Sequence, residues 1–371
     1  MYSASIAATW IWAPALFVSS SQSHENGIYG FLFFLIPNVL TLFLFAYFAE
    51  IVRKHDDGLT VEDAIKSADK RQKILHKIVS YIILICSTCV QFIGIHAIIG
   101  GERIYTAVGI SILCLLMVGK DGIKGSIKTD TIKWAIMVVC GLFLFFVSDK
   151  KEFCLYGAKN PDLITIVKTF GITSIIGLMC APYVDQTFWQ RVYSIKPEKI
   201  KKTFYLSGLL FALVPLIFGC IGFFNGTEMW SLNTAFGKGI NNLILLLCVL
   251  CALVSTLDSN LCAITTFTRS KKSMYLLLAA GGFLMVNTDL TITDLFLIYG
   301  TIRTCIAIPT ILIILDRYDS KRLFYSTLIA AIITSIGFII TRSYWFSILG
   351  VLIPLLGYKS RKNESNDQKL N

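Results

Sequence analysis

The sequence predicts an all-α polytopic membrane protein of about 12 transmembrane helices, built as a five-plus-five inverted repeat with broken helices 1 and 6 plus two C-terminal helices. Three observations carry this. Of the 371 residues, 55% are hydrophobic and only 15% charged, where a water-soluble chain carries nearer a quarter. Lys and Arg gather in alternate connections between apolar blocks. Two of the blocks are interrupted by proline at matching places in the two halves.

The apolar blocks run over 3–20, 28–52, 75–99, 103–118, 131–148, 163–187, 204–224, 240–267, 274–287, 292–315, 323–340 and 343–358. Each is close to the length that crosses a ~30 Å hydrocarbon core as a helix. The N-terminal MYSASIAATWIWAPALFVSSS lacks the basic stretch of a signal peptide, so it is read as a true first span. Between the second and third blocks, RKHDDGLTVEDAIKSADKRQK predicts a short amphipathic helix at the membrane interface. No long polar linker divides the chain. Residues 1–358 form one transmembrane domain, with repeats at about 1–150 and 160–315, and 359–371 form a polar cytoplasmic tail.

One set of connections holds Arg53, Lys54, Lys66, Lys70, Arg71, Lys73 and Lys77, then Lys120 to Lys133, Arg191 to Lys202, Arg269 to Lys272, Arg317 to Arg322, and the tail. The alternate set holds few cations, among them Arg103, Lys159 and Arg342. Positive loops face the cytoplasm, which puts both termini inside a multi-pass protein of the inner or plasma membrane, with a bacterial cell as the expected setting. The net charge of +11 is then a topology signal, and the expected partners are the lipid bilayer and a small-molecule solute, with no nucleic acid. Cysteines at CxxC spacing, Cys86/Cys89 and Cys248/Cys251, lie on apolar helices with no histidine nearby and suit small buried hydrophobes better than metal ligands.

The first interruption is WIWAPALF, where Pro14 removes the hydrogen bond to the Trp10 carbonyl and crowds that of Ile11. The second is GLMCAPYVDQ, where Gly177 and Pro182 free the carbonyl of Leu178. Such groups need protein, water or a ligand to satisfy them in lipid. Paired broken helices build a mid-membrane site in inverted-repeat transporters; ordinary proline kinks are the competing reading.

In the eighth block, ALVSTLDSNL places Ala252, Ser255, Thr256 and Ser259 at i, i+3, i+4, i+7, one stripe of a helix. Neighbouring hydroxyls facing freed carbonyls would make a neutral cage of oxygens, suited to a hard monovalent cation such as Na+. The alternative is back-bonding of each hydroxyl to its own helix. Asp258 adds an intramembrane carboxylate, which calls for a partner or a wet path; Lys133 and Arg303 are the candidates for an ion pair.

At this point CALVSTLDSNLCAITTFTRS resembles the core signature of the sodium:solute symporter family. ATWIWAP is similar to its broken first core helix, LMVGKDGIKGSIKTDTIKW to its pattern ending in Thr-Asp-x-x-Gln, and VDQTFWQRVYSIKPEKIKK to its Gln-Arg segment after helix six, in order over residues 1 to about 315. The resemblance implies that Na+ is the coupling ion, held by carbonyls at Ala8 and Ile11 and by the eighth helix at Ala252, Ser255 and Thr256. It implies a second ion position at Asp130, with Asp258 and Ser259. Two departures leave the ion stoichiometry open: the family places one more helix ahead of the broken one, and Lys133 stands where the motif has Gln.

The implied activity is sodium-coupled symport of a small organic solute by alternating access, with no enzymatic chemistry. Trp10, Trp12 and Ala13 beside the first break, Asn38, Gln91, and Arg303 in YGTIRTC are the expected solute contacts, and Arg303 points to an amino acid or carboxylate. A non-transporting or decayed member acting as a membrane solute sensor is the alternative.

Overall fold

The computed structural model describes residues 1–55, 57–117, 122–148, 153–225 and 239–359. Helix carries nearly all of them, and among the described residues the only β feature is an isolated antiparallel bridge between Tyr318 and Tyr358. A helix satisfies its backbone groups within one segment, which lipid demands.

Helix α1 (Tyr2–Trp10) stops at Ile11, and α2 (Ala13–His55) begins two residues on. At 43 residues, α2 would be about 65 Å long if straight, twice the hydrocarbon thickness. Gly27 divides it, with φ 63° and ψ −152°. A Cβ there would collide with the backbone of Leu155 and Tyr156, so both the dihedral and the close approach require glycine. The corner is pinned by Ile28 N–H donating to the Leu155 carbonyl at 2.8 Å and Ala158 N–H donating to the His24 carbonyl at 2.7 Å.

The remaining helices are α3 (Val61–Ala64), α4 (Lys70–Ile99), α5 (Arg103–Met117), α6 (Gly122–Val147), α7 (Leu163–Val184), α8 (Gln186–Val192), α9 (Ile200–Asn225), α10 (Ile240–Thr268), α11 (Lys272–Val286), α12 (Ile292–Ile314), α13 (Ser320–Thr341) and α14 (Trp345–Leu352). Eight helices are long and apolar enough to cross a membrane, and three shorter apolar ones accompany them. With Gly27 splitting α2, the described residues hold the expected number of spans. Exposed Ile36, Leu40, Leu44 and Tyr47 form a stripe along one face of α2, the surface a lipid-facing helix presents. By contrast Ala4 to Trp10 of α1 are all buried, because this short apolar helix packs against α6, α9 and α10.

Two expectations are corrected. The segment before the third span is not an amphipathic helix: one helical turn, α3, follows a capping box between Thr60 and Asp63, and α4 begins at Lys70 with Asp69 accepting from Gln72 N–H at 2.8 Å. Ile65 and Ala68 of the link are buried with Leu312, Ile313 and Leu323, so it packs on protein. The Gln186 side chain clasps its start, accepting from Val61 N–H at 2.8 Å and donating to the Leu59 carbonyl at 3.0 Å.

The second correction moves the break in the sixth span. Pro182 lies inside α7, and the chain leaves helical geometry at Asp185, with φ −79° and ψ 114°. Gly177 serves packing instead: a Cβ on it would lie 2.9 Å from Gly300 Cα, so the glycines let α7 and α12 meet backbone to backbone. Of the polar tail, residues 360–371 lie outside the described residues, as do 118–121 of the fifth-span motif.

Candidate functional site

The first break is where the site begins. Ile11 N–H donates to the Ala7 carbonyl at 2.8 Å and closes α1. Pro14 then falls in the first turn of α2, where no backbone donor is needed. The free N–H of Ala13 is met by Gln91 Oε1 at 2.9 Å, and Gln91 Nε2 donates to the Ser87 carbonyl at 3.0 Å. Gln91 thus caps the restarted helix, a backbone role that its polarity within an apolar span did not reveal. Asn38 lies under Trp10: its carbonyl accepts from Trp10 Nε1 at 3.3 Å, and its own amide donates to the Phe34 carbonyl at 2.8 Å.

On the acceptor side, the Thr256 hydroxyl of α10 lies 3.3 Å from the Thr9 carbonyl and 3.4 Å from those of Ile11 and Ala252. One hydroxyl proton serves three acceptors. The arrangement is neutral, made of oxygen and short of donors, which is the chemistry that fits a hard monovalent cation. Three of the five expected ligands, Ile11, Ala252 and Thr256, therefore converge. Among the described contacts Thr9 supplies the α1 carbonyl where Ala8 was expected, and Ser255 points elsewhere.

The Ser255 hydroxyl donates to Asp130 Oδ1 at 2.6 Å. The expected single stripe on α10 is shared out: Ala252 and Thr256 face α1, Ser255 faces Asp130 of α6, and Ser259 lies 3.1 Å from the Thr9 hydroxyl of α1 as well as against Arg191 of α8. Asp130, fully buried, also accepts from Ser5 at 2.9 Å, from Arg191 Nη2 at 2.9 Å and from Ser126 at 3.4 Å. Arg191 Nη2 donates to Ser259 Oγ at 2.7 Å as well, and Ser259 donates to the Ser255 carbonyl at 2.9 Å. Lys133 Nζ stands 3.6 Å from Asp130 and 3.9 Å from Asp258. The residues expected to hold a second ion, Asp130, Asp258 and Ser259, do assemble, but two side-chain cations stand among them. Arg191, which charge counting places in a cytoplasmic loop, is fully buried; its signal was the Gln-Arg segment, which places an arginine just beyond the sixth span.

The second break carries a separate pair. Arg303 of α12 donates through Nη2 to Asp185 Oδ2 at 2.6 Å. Neither Asp258 nor Lys133 takes part. The guanidinium lies 4.3 Å from the Tyr299 ring centroid and 5.5 Å from that of Trp12, within cation–π range. A cavity of about 20 Å3, room for one water, separates the two breaks. Trp10, Trp12, Asp185, Phe188, Asn260 and Arg303 are among its walls. Of the expected solute contacts, Trp10, Trp12 and Arg303 reach it, whereas Ala13, Asn38 and Gln91 serve the first break. Asp185 was missed, because the sequence placed the break at Pro182 and gave the acid no role.

No protein-family model and no curated protein sequence matches the chain. Solved structures do. A Na+-coupled sialic acid symporter in a substrate-bound outward-open state superposes with a TM-score of 0.67 at 16% identity, covering 96% of this chain and 88% of that one. This chain shares the fold of that symporter. Mhp1, a nucleobase-cation-symport-1 family transporter in a closed conformation with bromovinylhydantoin bound, gives 0.66 at 14% identity over 95% of this chain and 90% of its own. A manganese transporter from Eremococcus coleocola gives 0.59 at 12% identity, covering 96% and 85%. At these identities the likeness is one of fold, and it spans nearly the whole transporter in each case.

Proposed function

We propose that this chain is a secondary active transporter of the sodium:solute symporter type, which couples Na+ to the movement of a small carboxylate-bearing organic solute by alternating access. The carrying observation is Thr256, whose hydroxyl faces the Thr9 and Ile11 carbonyls across the first break and the Ala252 carbonyl of its own helix. Sodium in this position would be held by Thr9, Ile11, Ala252 and Thr256 and would tie α1 to α10.

The coupling route is short. Ile11 sits beside Trp12, and Trp12 lines the cavity and touches the Arg303 guanidinium. An ion that fixes the carbonyls of the break also fixes the wall of the solute site, and the solute then tightens the ion by the same factor. The asymmetry of Lys and Arg among the connections supports a multi-pass orientation with both termini cytoplasmic.

Uptake into proteoliposomes tests this reading. An inward Na+ gradient is expected to drive solute accumulation, and Thr256→Ala to abolish the sodium dependence. Equal flux with and without the gradient, or full coupling in Thr256→Ala, would overturn it; tight solute binding with no flux would instead select a sensor.

A further inference from the structure

The Arg303–Asp185 pair is joined through one hydrogen bond of 2.6 Å. It closes the wall of the cavity between the breaks, and each partner is buried, yet neither is saturated. Asp185 Oδ1 has no hydrogen-bond partner, nor has Arg303 Nε, and the indole N–H of Trp12 beside them is also unpaired. Unpaired buried polar atoms are few in a folded protein and each is costly. Here three of them fall on three neighbouring walls of one cavity, at the place where both broken spans lose their backbone pairing.

We infer that the solute is a zwitterion, an amino acid or betaine-like molecule, whose carboxylate takes Arg303 and whose ammonium takes Asp185. The inference rests on the transport reading above and narrows its solute. A simple carboxylate that drew Arg303 to itself would leave the Asp185 carboxylate buried without a countercharge. A simple amine would strand Arg303. Stranding a buried charge is strongly disfavoured, whereas exchanging one pair for two leaves every charge matched. A molecule with both charges is therefore selected over either half, and selection comes from rejection as much as from attraction.

The cavity supports the same conclusion by its size. At about 20 Å3 it admits no solute while the pair is closed, so entry must spread Arg303 and Asp185 apart. The apolar walls at Trp10, Ile83, Leu84 and Phe188 then receive the rest of the molecule. Hydroxyl and amide groups at Ser87, Thr187 and Asn260 lie on the same walls.

The test is binding to the purified full chain, read as thermal stabilisation in NaCl and again in choline chloride. The standard L-amino acids and glycine betaine are screened first, and the strongest stabiliser is then compared with its carboxamide and its deaminated acid, each lacking one charge. The zwitterion is expected to bind roughly 100-fold or more tightly than either analogue. Asp185→Asn should move the preference toward the deaminated acid, and Arg303→Gln toward the carboxamide, a reversal that a merely structural pair would not give. An acid or amide that matches its zwitterion on the wild-type chain overturns the inference, as does a screen in which no zwitterion stabilises it. If the variants do not fold, the wild-type analogue series decides alone. Zwitterion binding that is equal in NaCl and choline chloride would sink sodium coupling and leave the clamp standing, so the two failures are distinct.

Discussion

Asp130 accepts from Ser5, Ser126, Ser255 and Arg191, with Lys133 at 3.6 Å. Asp185 meets Arg303 through one oxygen and leaves the other unpaired. Both carboxylates are buried inside a membrane protein, where an ionisable group is expensive and points to function by default. Their surroundings separate them. Asp130 sits in a network in which Asp130 and Asp258 face Arg191 and Lys133, and its donors come from α1, α6, α8 and α10. It is crosslinking for the bundle. Asp185 and Arg303 border a cavity and keep acceptor and donor capacity in hand. The count of satisfied partners, more than burial or charge, distinguishes the network around Asp130 from the proposed solute site.

The sharpest way to break this comparison is to remove Asp130. Asp130→Ala leaves Arg191 and Lys133 short of a countercharge and should destabilise the protein by about 3–5 kcal/mol, measured by thermal unfolding in detergent. Little loss of stability would mean that the network is not structural. A milder change asks whether Lys133 serves Asp258 as well. Lys133→Met alone should cost about 2 kcal/mol, and adding Asp258→Asn should recover part of that, because the second carboxylate is then no longer exposed to an absent partner. Strictly additive losses would show that the 3.9 Å pair carries no coupling.

The smallest effect lies outside both clusters and serves as a reference. Burial raises the pKa of Asp63, but N–H donors from Leu59 and Thr60 and the Thr60 hydroxyl together hold it below its ordinary value. Its folded pKa is depressed, so its contribution is present above the ordinary carboxylate pKa and is lost as pH falls through the lowered one. Asp63→Ala should cost about 1 kcal/mol, as loss of a helix cap does, and should flatten the acid limb of a stability profile while leaving solute binding unchanged. A shift in solute affinity would show that the link before α4 reaches the site.

How much of this was legible in the sequence follows from distance along the chain. The spans follow from apolar runs, which are local. The first break is marked by Pro14, which the structure places in the first turn of the restarted helix, where its missing N–H costs nothing. The sixth-span break is not so marked, because Pro182 is accommodated within α7 and the helix yields only at Asp185, whose carboxylate is drawn to a residue 118 positions away. Arg191 illustrates the same limit: counted locally it is a loop cation, but its countercharge is 61 residues earlier. The proposed cation set was half legible for a related reason. The i, i+4 spacing of Ala252 and Thr256 fixed one face of α10, but only packing shows that Ser255, one residue before Thr256, turns to Asp130.

Asp185 and Gln186 are consecutive, and their side chains hold different things: Asp185 holds Arg303, and Gln186 grips the link at Leu59 and Val61. Their Cα atoms are one peptide step apart, about 3.8 Å, with no compressible loop between them. The charge pair and the clasp therefore share one joint of the backbone: a displacement of the peptide between them would carry both anchors, whereas side-chain rotation at either end moves one alone.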